Sequence, residues 1–178
     1  MALRGGGTKG AYEVGVLKAM TEMLIPEEYA YDVVEGVSIG ALNAGLMATY
    51  EVGDEKAAIN KLYEMWMSHP ITDLWSNWNF LGPLEGIWRS SLLSIKGLEQ
   101  MLHENFDGKK WVRGIAIQAV DINTGETVIF DETTPQEKMV PALRGSSAIP
   151  LVFPPQIIDD MVLVDGGAFT NLDMNEAI

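Results

Sequence analysis

The chain has 178 residues, 47% of them hydrophobic, and a formal net charge of −13. This excludes a disordered chain and suits one domain with a substantial core; the acidic balance excludes nucleic acid as a partner and electrostatic adsorption to anionic membranes, while leaving a hydrophobic approach to lipid open. Cysteine is absent, no apolar run reaches the ~18 residues of a membrane span, and no signal peptide is visible, so the expectation is a cytoplasmic protein, peripheral on membranes where it meets them.

The chain opens on a glycine loop, Gly5-Gly6-Gly7-Thr8-Lys9-Gly10, preceded only by Ala2-Leu3-Arg4 where a full buried strand is normal. It stops at Ile178, in what reads as the start of a helix. The expectation is a single domain over residues 1–178, trimmed at both ends. Val14, Leu17, Met20 and Leu24 recur at helical spacing, which predicts a helix from Ala11 to Leu24 stopped by Pro26. Tyr31 to Glu35 reads as a short strand, Ala41 to Tyr50 as a helix rich in small residues, and Asp54 as the cap of a third helix running to Ser68. Residues 71 to 94 crowd aromatic and aliphatic residues around Gly82-Pro83; the part from Trp75 to Trp88 reads either as an acyl-chain or interface contact or as core filling. A helix over Ile95 to Asn105 follows, then a buried strand from Trp111 to Asp121. Asn123-Thr124-Gly125 turns into a strand over Glu126 to Phe130. Thr134-Pro135 starts a helix ending near Gly145, and a hairpin around Asp159-Asp160 leads to Asp165. Strands alternating with helices predict an α/β layered domain, with no internal repeat and no linker.

Three short pieces carry chemistry. Ser38 lies in Gly36-Val37-Ser38-Ile39-Gly40, a strand-to-helix turn that would expose a nucleophile, with Gly36 and Gly40 where side chains would crowd the turn. Read alone, it is equally a glycine-flanked turn. The loop Gly5 to Gly10 can present several backbone N–H groups to an oxyanion, with Lys9 adding charge nearby. It also fits the dinucleotide pattern GxGxxG, with Glu35 about where a ribose-binding acid would stand. Asp165 ends an apolar strand ahead of Gly166-Gly167, either reaching a cleft or closing a turn. A nucleotide fold leaves the serine and aspartate motifs unexplained. An ordinary α/β hydrolase orders its triad serine, acid, histidine, yet the only histidines, His69 and His103, both precede Asp165. A two-residue Ser–Asp centre is what remains.

These blocks, with Ser146-Ser147-Ala148-Ile149-Pro150-Leu151-Val152-Phe153-Pro154-Pro155 and the closing Asn171-Leu172, resemble the ordered signature of the patatin-like phospholipases over nearly the whole chain. The resemblance implies a three-layer α/β/α domain with a mostly parallel central sheet. It implies Ser38 as nucleophile and Asp165 as base. Gly5, Gly6, Gly7 and Thr8 would supply an oxyanion hole, with Lys9, Gly10, Gly36, Gly40, Gly166 and Gly167 supporting the motifs. No metal and no cofactor are implied. The substrate would be a phospholipid or other acyl lipid at a membrane or micelle surface. A catalytically silent binding domain of the same family is the alternative, and nothing in the sequence sets the oligomeric state.

Overall fold

The computed structural model describes residues 1–69, 71–77 and 92–168. Its main sheet has the strands β1 (Ala2–Leu3), β2 (Val33–Val37), β5 (Gly114–Asp121), β6 (Glu126–Phe130), β7 (Gln156–Ile158) and β8 (Met161–Asp165). The short strands β3 (Ser76–Asn77) and β4 (Leu93–Ser94) form a separate antiparallel pair. Helices α1 (Gly10–Met23), α2 (Ile39–Met47), α3 (Glu55–Ser68), α4 (Ile71–Leu74), α5 (Lys96–Phe106) and α6 (Gln136–Ser146) complete the α/β fold. The tryptophan-rich stretch beyond Asn77 and the closing Asn171-Leu172 lie outside the described residues.

The sheet order is β1-β2-β5-β8-β7, with β6 also on β5. β1, β2 and β5 pair in parallel. β8 is antiparallel to β5 and β7 antiparallel to β8, so β7 runs with β1, β2 and β5, and only β6 and β8 run against them. β5 has three partners but only two edges. Ile117 and Gln118 face both β2 and β6, and Ala119 to Asp121 face both β6 and β8. β6 therefore holds one edge alone, and β2 and β8 share the other.

Side chains alternate across a strand, and the two faces of this sheet differ. Val34, Ile115, Ile117, Ala119 and Leu163 join the main core with Val14 and Leu17 of α1, all of α2's apolar residues, Leu62 and Met65 of α3, and Leu143 of the adjoining helix α6 region. Every residue of α2 is buried, which fits its run of small side chains. The opposite face carries Glu35, Val37, Ala116, Gln118, Val120 and Val164, also buried. All the described helices feed the first core; a second helical layer is not among the described residues.

Arg113 fixes the start of β5. It is buried and donates to the carbonyls of Tyr50 (2.8 Å), Tyr31 (3.0 Å) and Glu51 and to the Glu55 carboxylate (2.7 Å). Removing one member of a buried ion pair strands the other charge. Arg113→Ala is expected to lose roughly 3–5 kcal/mol of unfolding free energy in urea titration, and Arg113→Lys should recover little of it, because one ammonium cannot reach all four acceptors.

Candidate active site

The turn Gly36-Val37-Ser38-Ile39-Gly40 ends β2. Ser38 follows Val37 directly and takes φ 58°, ψ −126°, before α2 begins at Ile39. A non-glycine residue held there is strained by about 1–3 kcal/mol and needs its surroundings to keep it so. Close backbone approach supplies part of that constraint. A Cβ on Gly36 would lie 2.3 Å from the Gly40 carbonyl oxygen, and one on Gly40 would lie 2.3 Å from that of Leu3. The two motif glycines thus let β2, α2 and β1 close on one another.

The shared edge of β5 brings the second residue in. β2 ends with Val37 opposite Gln118, and β8 arrives from the other direction with Asp165 opposite Ala119. The two strand ends meet head-on, and Ser38 Oγ donates to Asp165 Oδ2 at 2.6 Å although the residues are 127 apart in sequence. Asp165 Oδ1 accepts from the Gly167 N–H at 2.7 Å. Both side chains are largely shielded, at 7% and 5% exposure. Burial pushes the Asp165 carboxyl above its ordinary value, and the hydrogen bonds from Ser38 and Gly167 pull only partly against it.

A third segment braces both residues. Ser38 N–H donates to Ser146 Oγ at 2.9 Å. Ser147 Oγ lies 2.9 Å from the Leu143 carbonyl and 3.2 Å from that of Ser38. Asp165 N–H donates to the Ala148 carbonyl at 2.9 Å. Sequence reasoning met these residues only inside a family-like block. Their signal is weak, because each bond spans more than a hundred residues or runs through the backbone.

Gly5, Gly6 and Gly7 line a cavity of about 440 Å³ with Ser38, Asp165, Gly167, Ile149 and Pro150. Gly7 and Thr8 also line a second, apolar cavity of about 250 Å³ that starts at Ser38 and runs among Leu42, Leu98, Val152 and Phe153. Trp75 is on its wall and packs on Phe153 with ring centroids 5.6 Å apart. Lys9 is exposed and lines neither cavity. Gly10 is buried against Ile39, and its carbonyl accepts from Asn43 Nδ2 at 3.1 Å. Asn43 Nδ2 also donates to Glu13, which accepts from the Arg4 N–H, so α2 and the glycine loop are tied together. Gly166 sits against Val37 and the Gln118 carbonyl.

The dinucleotide alternative loses its acid. Glu35 is not at a strand end: Gly36 and Val37 follow it in β2, and it is buried accepting a hydrogen bond from Gln118 Nε2 at 2.5 Å. The histidines stand apart from Ser38. His69 ends α3, with Nδ1 3.0 Å from the Met65 carbonyl and Nε2 3.0 Å from Glu104, and His103 pairs with Asp107. Among the described residues no group of three or more metal-ligating side chains is gathered, and no helix is long and apolar enough to cross a membrane.

The fold and the site together define an α/β protein with a shielded serine–aspartate pair beneath a glycine loop. The chain belongs to the patatin-like phospholipase family, which matches it over residues 1–178. It is 27% identical over 186 aligned residues to the lysophospholipase NTE1 of Scheffersomyces stipitis, covering 99% of this chain and 10% of that protein. It is 31% identical over 134 residues to a cUMP-AMP-activated phospholipase of Escherichia coli, covering 73% of this chain and 36% of that one. The chain thus spans about a tenth to a third of these relatives. Its fold is similar to that of VipD from Legionella pneumophila, with a TM-score of 0.57 at 17% identity, over 99% of this chain and 47% of that one.

The raised carboxyl of Asp165 has a stability consequence. The folded state holds this proton more tightly than the unfolded state. The contribution is therefore fully present below the ordinary value of 3.8 and is lost as pH rises through the higher folded-state value. Asp165→Asn removes the buried charge at similar size. Its Tm is expected to exceed that of the parent at pH 8, with the gap closing as melts are taken towards pH 4; a lower Tm at pH 8 would contradict a net burial penalty.

Proposed function

We propose that this chain is a lipid acyl hydrolase in which Ser38 is the nucleophile and Asp165 the general base. The observation that carries the reading is the 2.6 Å hydrogen bond from Ser38 Oγ to Asp165 Oδ2 at the floor of a cavity walled by the glycine loop. Family membership and the lysophospholipase and phospholipase relatives support a lipid ester as substrate.

Asp165 takes the Ser38 proton as Oγ adds to the ester carbonyl carbon, and the carbonyl π electrons move to oxygen. The Ser38 N–H is already given to Ser146, and the donors proposed for that oxyanion are the N–H groups of the loop Gly5, Gly6, Gly7 and Thr8. Each such donor is worth ~2.7–4 kcal/mol of barrier. The ester C–O bond breaks, the alcohol leaves with the proton from Asp165, and an acyl-serine remains. Asp165 then takes a proton from water, whose oxygen adds to the acyl carbon, and the fatty acid departs as Ser38 regains its proton. The apolar cavity of about 250 Å³ suits the acyl chain, and the more open cavity beside Pro150 and Gly167 suits the leaving alcohol.

A fluorophosphonate probe tests this directly: mass spectrometry is expected to find one adduct, on Ser38. Ser38→Ala should abolish hydrolysis of a short acyl ester. Asp165→Asn should lower kcat/KM by about 10²–10⁴, while His69→Ala and His103→Ala keep near-normal rates and a chelator has no effect. The acid limb of kcat/KM should fall above pH 3.8, in the direction burial moves Asp165. An intact, folded chain that takes no probe would favour a silent binding domain instead.

A further inference from the structure

The segment after the serine brace is unusual. No charged residue occurs between Arg144 and Asp159, in a chain that is 21% charged. Ile149 to Val152 forms a β-turn closed by the Val152 N–H donating to the Ile149 carbonyl at 3.1 Å. Pro150 is its second residue and Leu151, with φ 69°, its third. That is the type II pattern, whose third position favours glycine or asparagine because a branched side chain there is strained. Leucine stands there nonetheless, at 81% exposure, with its side chain in solvent.

The turn also sits at a telling place. Its Ile149 and Pro150 wall the cavity that holds Ser38 and Asp165, and Ile149 and Val152 wall the apolar one. The Leu151 carbonyl accepts from the Leu92 N–H at 3.0 Å, which sets the 44%-exposed Leu92 beside it, and Ile149 is itself 37% exposed. Single exposed leucines are ordinary. A strained one, joined by two more aliphatic residues on the rim of the candidate active site, is an outlier that asks for a role.

We propose that the Ile149–Val152 turn is a lipid-contact wedge, with Leu151 inserting into a zwitterionic lipid surface beside the mouth of the Ser38 cavity. The choice of occupant rests on the lipid-hydrolase reading above. It also rests on charge: a turn within a segment free of charged residues from 145 to 158, on a chain of net charge −13, is matched to phosphatidylcholine and repelled by anionic lipid.

The test compares the parent with Leu151→Asn and Leu151→Phe in three measurements: sedimentation with phosphatidylcholine vesicles, hydrolysis of a soluble short ester, and Tm. Asparagine accepts the turn's positive φ, so Leu151→Asn should keep or raise Tm, leave soluble-ester kcat/KM within about two-fold, and lower vesicle partitioning about 10–100-fold, the scale of one buried leucine. Leu151→Phe should retain partitioning. Equal partitioning of parent and Leu151→Asn, or a parent that does not sediment, overturns the proposal. So does a parent dimer that Leu151→Asn converts to monomer, which would make a second copy of the chain the occupant. A parent that sediments but leaves the soluble ester untouched defeats the hydrolase reading while the wedge stands.

Discussion

The site depends on two strands using one edge of a third. β2 occupies the first part of that edge of β5 and β8 the second, from opposite directions. Backbone hydrogen bonding fixes the register of each against β5, and a slip of one residue would turn every side chain to the other face. Residues 38 and 165 are therefore placed by sheet pairing, and the 2.6 Å contact between them needs no long flexible side chain on either partner. Gly166, packed on Val37 and the Gln118 carbonyl, keeps the junction close enough for that contact.

Pairing alone would not hold Ser38 at φ 58°. The strain is opposed by bonds on both sides of the residue: the Ser38 N–H goes to Ser146, and its carbonyl accepts from Ala41 at 3.0 Å with Ser147 Oγ close by. The same short segment accepts the Asp165 N–H through Ala148. It thus spans the junction from the helical side and fixes the spacing of two residues that the sheet has already aligned. Leu151, the next strained non-glycine residue among those described, lies three residues beyond Ala148 and has no comparable set of bonds around its side chain. Strain within a network of bonds positions an atom. Strain at an exposed turn displays one.

Much of this was legible in the sequence, for reasons that differ by residue. Gly36 and Gly40 could be read because their spacing reflects local backbone approach, which is a property of five consecutive residues. The helices over α1, α3 and α5 were within a residue or two of their observed bounds because apolar spacing records one buried face. Asp165 was reached by motif order and family likeness; nothing local distinguished it from a turn aspartate such as Asp159, which also follows an apolar pair and has φ 53°. The strand before Ser38 was placed too early, since Gly36 and Val37 continue the pairing that Glu35 seemed to end. The brace and the shared edge were not legible at all. They join segments far apart in the chain, Ser146 and Ser147 reaching Ser38 across more than a hundred residues, and no periodicity or spacing records a tertiary hydrogen bond. Lys9, read as charge near the site, is exposed, with its side chain against Gly6 of the glycine loop.

On the proposed mechanism, the environment of Asp165 bears on how a carboxylate could take the place of imidazole as a base. In water a carboxylate is too weak a base to draw a proton from serine efficiently. Here burial raises its proton affinity, and the Gly167 N–H and Ser38 hydroxyl moderate that rise by solvating the charged form. Removing either donor would strengthen the base further but would leave the carboxylate unaligned, so basicity and orientation compete through the same two hydrogen bonds. On the proposed mechanism the competition is eased when substrate binds. An acyl chain filling the apolar cavity expels water from the side of Ser38, lowering the local dielectric while the Gly167 bond stays in place. The base then gains further strength at the moment the ester carbonyl is present, beyond what burial already gives it in the free protein.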